Sequence, residues 1–337
     1  MLEKLRWGII GCGNVSGDFA KAINYTTYNH SISAVAARDL NKANEFVKIN
    51  NLGDNVKAYG SYTELFKNET CDIVYIGVLN HCHKILVLEA LENGKNVVCE
   101  KPMGLNYFET KEMIEKAKEK ELFLMEGYWT CFFPAFKAFH ENLKKIENLN
   151  LAISECGFAN HAPNKLEKSL GGGDLMATGC YNIMAILSVF ENENIKKIIS
   201  NGCKNESGVD VWSSILIEFE NDKIASIFNT SLATTPSSFF VSGNNGYVKI
   251  PEKLWCPTKI LVNIDNNLEG FCFKLNKSKD GNERDFQYPR AQGFCYEQDH
   301  VFECLKKGFK ESPTVSWEKS LKIAKLLEEI RQQLGVL

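Results

Sequence analysis

A short apolar run that ends in a glycine-rich turn and continues as a helix is the feature that most constrains this fold. It reads "RWGIIGCGNVSGDFAKAI" over residues 6–23, and the order of strand, turn and helix recurs through the first part of the chain. The later apolar runs are "SISAVAARD", "CDIVYIGV", "KNVVCEKP" and "LFLMEG", and Ser61 and Glu64 between them are spaced as a helix capping box. Strands that alternate with helices imply parallel βαβ units. We therefore predict an α/β domain with a doubly wound parallel sheet over residues 1–126.

The turn itself has the spacing of a Rossmann-type dinucleotide-binding turn. Gly11 permits a tight bend, and Gly13 lets the backbone approach a pyrophosphate. Ser16 stands where G-x-G-x-x-G has its third glycine, and it is small enough for close packing of the helix. A helix is predicted from about Val15, and the unpaired N–H groups at its start favour an anion. The alternative is a strand-to-helix turn that binds no ligand. Features elsewhere in the chain are needed to distinguish the two.

After about residue 126 the pattern changes to short strand-like runs joined by tight turns. Turns such as Glu220-Asn221-Asp222 and Asn244-Asn245-Gly246 indicate antiparallel pairing. A helix over about 173–190 interrupts the runs, and two helices close the chain. We predict an α+β domain over residues 127–337 with a large, mostly antiparallel sheet.

The composition excludes several classes of partner. A net charge of −3 without any Lys/Arg-rich block argues against nucleic acid and against an anionic membrane. No apolar stretch is long enough to span a membrane, and the first apolar run is too short for a signal peptide, so we expect a cytoplasmic protein. The twelve cysteines lack C-x-x-C spacing, and the cluster His81-Cys82-His83 has no partner cluster. We therefore predict reduced thiols and no metal site.

The end of the second strand bears on the choice between NAD and NADP. A carboxylate there accepts from the ribose 2′-hydroxyl of NAD, whereas a guanidinium pairs with the 2′-phosphate of NADP. The strand ends in Ala37, Arg38 and Asp39, with Ala37 at the expected carboxylate position. NADP is favoured over NAD. The opposing interpretation is that Asp39 takes the ribose while Arg38 is a solvated charge.

The run "VCEKPMGLN" (residues 98–106) supplies the candidate for chemistry. In an open α/β sheet, ligands bind at the carboxyl ends of the strands, and Lys101 follows such an end. An ammonium there can stabilise the alkoxide that develops during hydride transfer, and Pro102 stiffens its turn. The alternative is a surface lysine that pairs with Glu100.

Taken together, the glycine turn, the E-K-P run and the antiparallel second domain resemble the Gfo/Idh/MocA oxidoreductases, and within them the dimeric dihydrodiol dehydrogenases. The resemblance is carried by "VAARDL", "CEKPMGLN", "LFLMEGYWTCFFPA", "GGGDLMATGCY", "LWCPT" and "HVFECLKKGFKESP", which span nearly the whole chain. It implies an NADP-dependent oxidoreductase that transfers a hydride between the nicotinamide and a cyclic vicinal diol or a sugar. It also implies a homodimer formed through the sheet of the second domain.

The resemblance further implies roles for individual residues. Lys101 matches the catalytic lysine of the family, and Tyr181 matches its proton donor at a position where many relatives have histidine. Trp129 and His83 match positions that line the active site, although a core aromatic and a helix-capping histidine stay open as alternatives. The implied cofactor-binding residues are Gly11, Gly13, Asn14, Val15, Arg38, Asn80, Glu100 and Lys101.

One departure from the family pattern concerns the helix that carries Tyr181. The family usually has Asp four residues before this position, and this chain has Ala177. Asp174 is a substitute for substrate binding, since residues at i and i+7 share a face of an α-helix, about 10 Å apart along its axis. The loss of the usual Asp keeps open a second hypothesis, a non-catalytic NADP-binding sensor or regulatory protein.

Overall fold

The computed structural model describes residues 2–159 and 162–337. The described chain forms two compact units, Met1–Trp129 with Leu275–Ser320 and Thr130–Lys274 with Leu321–Leu337. The continuous domains at 1–126 and 127–337 stay a prediction. The compact units differ from them in that residues 275–320 belong to the first unit. Among the described residues, no helix combines the length and the apolar character needed to cross a membrane.

The first unit contains a parallel sheet of six strands, which confirms the doubly wound architecture. The strands are β1 (Leu5–Ile10), β2 (His30–Ala36), β3 (Lys57–Tyr59), β4 (Ile73–Ile76), β5 (Asn96–Glu100) and β6 (Leu124–Gly127). Their order across the sheet is β3-β2-β1-β4-β5-β6, and every neighbouring pair is parallel. All residues of β4 and β6 are buried, as expected of strands covered on both faces.

The helices of the described chain are α1 (Asn14–Ala22), α2 (Leu40–Ile49), α3 (Tyr62–Phe66), α4 (His83–Glu92), α5 (Tyr107–Lys120), α6 (Pro134–Leu143), α7 (Cys180–Val189), α8 (Phe294–Lys306) and α9 (Trp317–Gln333). The first five connect the strands of the first unit, and α8 packs against α1 in the same unit through Phe294 and Phe19. The predicted capping box at α3 is wrong, because the Ser61 side chain makes no capping hydrogen bond.

Close packing of α1 against β4 follows from the residue that replaces the third glycine. The buried Ser16 hydroxyl donates to the carbonyl oxygen of Gly77, 3.2 Å away, directly after β4. A Cβ on Gly77 would collide with that hydroxyl oxygen. The small serine and the bare glycine therefore let the helix lie against the strand, as the sequence predicted.

The second unit contains a sheet of eight strands, which confirms the α+β architecture. The strands are β7 (Leu151–Gly157), β8 (Ile195–Lys204), β9 (Asp210–Phe219), β10 (Ile224–Thr230), β11 (Phe239–Gly243), β12 (Gly246–Ile250), β13 (Lys259–Ile264) and β14 (Asn267–Cys272). Their order is β14-β13-β12-β11-β7-β10-β9-β8, and only the pairing of β7 with β10 is parallel.

Two features of this unit escaped the sequence analysis. The edge strand β14 reads "NLEGFC" and is exposed at every position, so it lacks the alternation that marks a half-buried strand. The helix expected over 173–190 is interrupted in its first part by a π-helical turn at Leu175–Gly179, and α7 follows that turn.

Candidate active site

The glycine turn after β1 is shaped for close approach of a ligand to the backbone. Gly11 has φ +93°, and a Cβ there would lie 2.7 Å from Val78 Cγ1 and 2.8 Å from Gly77 O. Gly13 is the N-cap residue of α1, and an added Cβ there would meet nothing within 4 Å. The fold therefore requires glycine only at position 11. The second leaves open space beside the N–H groups that begin α1, where an anion is stabilised.

Arg38 and Asp39 have different surroundings at the end of β2. Asp39 is the N-cap of α2, and its carboxylate accepts from the backbone N–H of Asn41 at 2.8 Å. Arg38 is exposed, directly after the buried Ala37. The Asp39 carboxylate therefore has a structural role as a helix cap, whereas the Arg38 guanidinium is exposed at the carboxyl edge of the sheet.

Lys101 lies in the turn after β5, as the sequence predicted. Its backbone N–H contacts Glu100 Oε2 at 3.3 Å, and its side chain is half-buried. The Tyr75 hydroxyl donates to Glu100 Oε1 at 2.7 Å. Glu100 therefore links β4 to the turn that carries the lysine. The Lys101–Pro102 peptide bond is cis.

His83 connects two loops of this edge. The ring is fully buried, with Nε2 at 3.1 Å from Val78 O and Nδ1 at 3.0 Å from Pro102 O. Burial lowers the pKa of this imidazole to about 4. A neutral ring between two backbone carbonyls favours a role in positioning the E-K-P turn over the expected contact with substrate. Asn80 lies nearby in the same loop, half-buried in a 3₁₀ turn.

Glu126 on β6 is a buried carboxyl group that the sequence analysis did not identify. Its Oε1 accepts from the Met103 N–H at 2.8 Å, two residues beyond Lys101. Burial raises its pKa to about 7, against the opposing effects of hydrogen bonds from Ser320 and Met103 and of the Lys101 charge, and the charge of Glu100 raises it further. The carboxyl group therefore changes protonation state near neutral pH.

Glu297 is a second buried acid beside the same edge, and it comes from the C-terminal segment of the unit. Its side chain is fully buried, and among the described residues neither carboxyl oxygen has a hydrogen-bond partner. Burial, with a further contribution from the charge of Glu100, raises its pKa well above the usual range. A sequence signal was absent because one Glu within an amphipathic helix resembles any solvated residue.

Trp129 follows β6 and is nearly buried. Its ring stacks on Phe294, with the ring centroids 4.2 Å apart. That placement is typical of a core aromatic, which was one of the two interpretations of this residue. A substrate contact by Trp129 stays a prediction.

Tyr181 and Asp174 belong to the second unit and flank its π-helical turn. Tyr181 is the second residue of α7 and is half-buried. Asp174 is fully buried before the turn, and its Oδ1 accepts from Thr178 Oγ1 at 3.1 Å. The i to i+7 spacing expected for a regular α-helix is therefore wrong, because a π-helical turn changes the angle per residue. Ala177 lies within the turn, and its N–H donates to Gly173 O.

Asp174 also has an acidic neighbour. Asp210 Oδ2 accepts from the Leu175 N–H at 2.7 Å. Burial raises the pKa of Asp210 to about 6, and the charge of Asp174 adds to this increase. Asp210 accepts from the backbone of the π-helical turn and Asp174 accepts from the Thr178 hydroxyl within it, contacts that favour a structural role for Asp174.

Comparison with known proteins accounts for both units. The sequence model of the Gfo/Idh/MocA oxidoreductase family with an NAD-binding Rossmann fold matches residues 5–128, and that of the Gfo/Idh/MocA C-terminal domain matches residues 145–249. The chain is 36% identical to a trans-1,2-dihydrobenzene-1,2-diol dehydrogenase from Xenopus tropicalis and 38% identical to one from Mus musculus. The alignments cover 98% of this chain and 98% and 97% of those proteins.

Solved structures share the fold at lower sequence identity. A 3-ketoreductase from Actinomadura kijaniata, in complex with NADP and TDP-benzene, superposes with a TM-score of 0.82 at 18% identity. An aldose-aldose oxidoreductase from Caulobacter crescentus superposes with a TM-score of 0.84 at 20% identity. Each comparison covers 98% of both chains.

Substitution of the two glycines separates folding from binding. Gly11→Ala forces a Cβ into a positive-φ position against Val78 and Gly77, so we expect a loss of stability of about 1–3 kcal/mol. Gly13→Ala meets no protein atom and should leave the free energy of unfolding within about 0.5 kcal/mol. The alanine at position 13 should nevertheless weaken dinucleotide binding at least tenfold, because its methyl group occupies the space of the pyrophosphate.

Urea unfolding and fluorescence titration with NADPH and NADH measure these two effects. Gly53→Ala is a control for loss of a positive-φ glycine in open space away from the turn. Normal dinucleotide affinity in the Gly13→Ala protein would contradict the assignment of this turn.

A raised pKa in a buried acid predicts pH-dependent stability. The pKa of Glu126 is about 7 in the folded chain and near 4.5 when unfolded, so the native state binds more protons between these values. The contribution of this carboxyl is fully present below about pH 4.5 and is lost as the pH rises through 7. Relative to Glu126→Gln, the wild-type protein should lose about 2–4 kcal/mol over this interval.

Urea unfolding of both proteins at intervals from pH 5 to pH 8 provides the measurement. Groups common to the two proteins cancel in the difference, and the exposed Glu115→Gln serves as the matched control. A difference between wild type and Glu126→Gln that does not change with pH would rule out this titration.

Proposed function

Because the chain belongs to the Gfo/Idh/MocA oxidoreductase family, we propose that it is an NADP-dependent dehydrogenase that interconverts a cyclic vicinal diol or a sugar with the matching carbonyl compound. The family and the near full-length similarity to named dehydrogenases make it an NAD(P)-binding oxidoreductase that acts on CH–OH groups. The substrate class rests on the relatives named as diol dehydrogenases. The observation that carries the chemistry is Lys101 at the carboxyl end of β5, in the unit that holds the glycine turn.

The preference for NADP rests on the two residues after Ala37. Asp39 caps α2 by accepting one hydrogen bond from the Asn41 N–H, and Arg38 is an exposed positive charge directly after the buried Ala37. A guanidinium donates two parallel hydrogen bonds to a phosphate, whereas it gains little from a ribose hydroxyl. Gly11, Gly13 and the first residues of α1, Asn14 and Val15, would hold the pyrophosphate.

The residues of this chain divide the chemistry between them. A bound nicotinamide would supply the hydride chemistry at the carbon that bears the reacting hydroxyl. The Lys101 ammonium donates a hydrogen bond to that oxygen and stabilises the negative charge that develops as the C–H bond breaks. Tyr181 takes the hydroxyl proton in oxidation and returns it in reduction, the role that the family resemblance implies. Glu100 and His83 position the Lys101 turn through their contacts with Tyr75 and Pro102.

Assays with NADP and NAD in parallel, over a panel of aldoses, trans-diols and dicarbonyls, test this function. The wild-type protein should turn over at least one diol or sugar, with kcat/KM at least tenfold higher for NADP. Lys101→Met should lower kcat by about 10²–10³-fold, because it removes the donor that stabilises the developing charge. Tyr181→Phe should lower kcat by about 10²-fold.

Matched controls remove a lysine and a tyrosine elsewhere. Lys111 lies on the exposed face of α5, and Tyr247 lies on β12. The Lys111→Met and Tyr247→Phe variants should both retain the wild-type kcat. Tight NADPH binding without turnover of any compound would instead support the sensor hypothesis raised by Ala177.

We also propose that the chain forms a homodimer through the outer face of its eight-stranded sheet. Ile153 on β7 and Leu216 on β9 both pair with Ser226 on β10, so their side chains share a face, which Phe228 continues. These three apolar side chains are 38–41% exposed. A self-complementary apolar sheet face is suited to a two-fold symmetric interface.

Sedimentation velocity measures this association. The wild-type protein should sediment as a dimer, and Phe228→Asp should yield folded monomer, because a carboxylate would be buried against its symmetry mate. Ile85→Asp, on an exposed position of α4 in the first unit, is the control and should stay dimeric. A monomeric wild-type protein would refute the proposal.

A further inference from the structure

Tyr62 is a residue at the carboxyl edge of the parallel sheet that none of the roles above uses. It begins α3, three positions after the last residue of β3. The Ala37 N–H donates to Tyr59 O at 3.1 Å, which pairs the ends of β2 and β3. A Cβ on Gly60 would lie 3.3 Å from the backbone nitrogen of Leu40, so the turn before Tyr62 runs against the start of α2. Tyr62 therefore lies beside the segment that contains Arg38.

The start of α3 is firmly held. Leu65 and Phe66 are fully buried, and the Thr63 hydroxyl donates to the Glu89 carboxylate on α4. A tyrosine on such an anchored turn loses little further conformational freedom when a ligand binds, so its hydroxyl is well suited to specific recognition.

Groups that follow three strands of the sheet act electrostatically on the Tyr62 hydroxyl. Burial raises the pKa of this half-buried phenol, the positive charge of Arg38 acts in the opposite direction, and the thiols of Cys12 and Cys82 act with burial. Cys12 follows β1, Arg38 follows β2 and Cys82 follows β4. These three residues follow strands whose carboxyl ends lie at the edge that holds the glycine turn, the same edge at which α3 begins.

The chemistry of a phenol at this place fits a phosphate. A hydroxyl that donates to a charged acceptor contributes more free energy than one that donates to a neutral hydroxyl. Arg38 supplies positive charge, and a neutral donor beside it adds a directed hydrogen bond without adding charge repulsion. We propose that Tyr62 is a specificity-determining residue, whose hydroxyl donates to the 2′-phosphate of an adenosine nucleotide bound at Arg38. The proposal rests on the NADP preference given above.

Binding of two nucleotide fragments to the full-length protein tests this directly, without any turnover. Adenosine 2′,5′-bisphosphate carries the 2′-phosphate, and adenosine 5′-monophosphate lacks it. In isothermal titration calorimetry, Tyr62→Phe should weaken the bisphosphate about tenfold and the monophosphate less than about threefold. Tyr59→Phe is the matched control, since its ring lies against Lys57 on the same strand, and both affinities should stay at wild-type values.

The Arg38→Gln variant distinguishes a failure of the proposed role of Tyr62 from a failure of the proposed preference for NADP. If the wild-type protein does not prefer the bisphosphate, the NADP preference is wrong, and the role of Tyr62 is wrong with it. If Arg38→Gln removes the preference while Tyr62→Phe weakens neither fragment, or weakens both equally, the NADP preference stands and Tyr62 has no part in it. Thermal melting of Tyr62→Phe at the wild-type temperature confirms that the comparison concerns folded protein.

Discussion

The carboxyl edge of the parallel sheet, which holds the glycine turn, depends on the contact between Ser16 and Gly77. Its hydrogen bond contributes about 1 kcal/mol, but its geometric consequence is larger than its energy. The absence of a side chain on Gly77 lets α1 lie against the carboxyl end of β4. The N-terminus of α1 therefore borders the open space beside Gly13. The positive end of the helix dipole and the unpaired N–H groups both favour an anion in that space.

Buried acids define the surroundings of the E-K-P turn more than exposed charges do. Glu126 and Glu297 lie in the interior, where an ionised carboxylate is costly, and each has a raised pKa as a result. Glu100 contributes to both shifts, and it accepts from the Tyr75 hydroxyl. Protonation of one acid therefore changes the electrostatic environment of the others, and Lys101 acts on Glu126 in the same network.

Local sequence patterns predicted the structure correctly where that structure depends on a single chain segment. The alternation of apolar runs and helical segments predicted the parallel sheet, and the Gly11 to Ser16 spacing predicted the turn that the structure contains. Patterns failed where the outcome depended on neighbours. The Ser61 side chain does not cap α3, and the fully exposed β14 has no burial period to detect. The π-helical turn before Tyr181 also has no pattern of its own, so the spacing of Asp174 was misjudged.

The order of the residues therefore specifies the two sheets, the position of the glycine turn and the presence of a lysine at a strand end, because these depend on periodicity and on chain connectivity. The raised pKa values of Glu297 and Glu126 and the contact of His83 with the Pro102 carbonyl depend on residues from different parts of the chain. They arise when folding removes water from some polar groups and supplies partners to others. Solvation and hydrogen bonding are properties of that three-dimensional arrangement, and a linear pattern does not contain them.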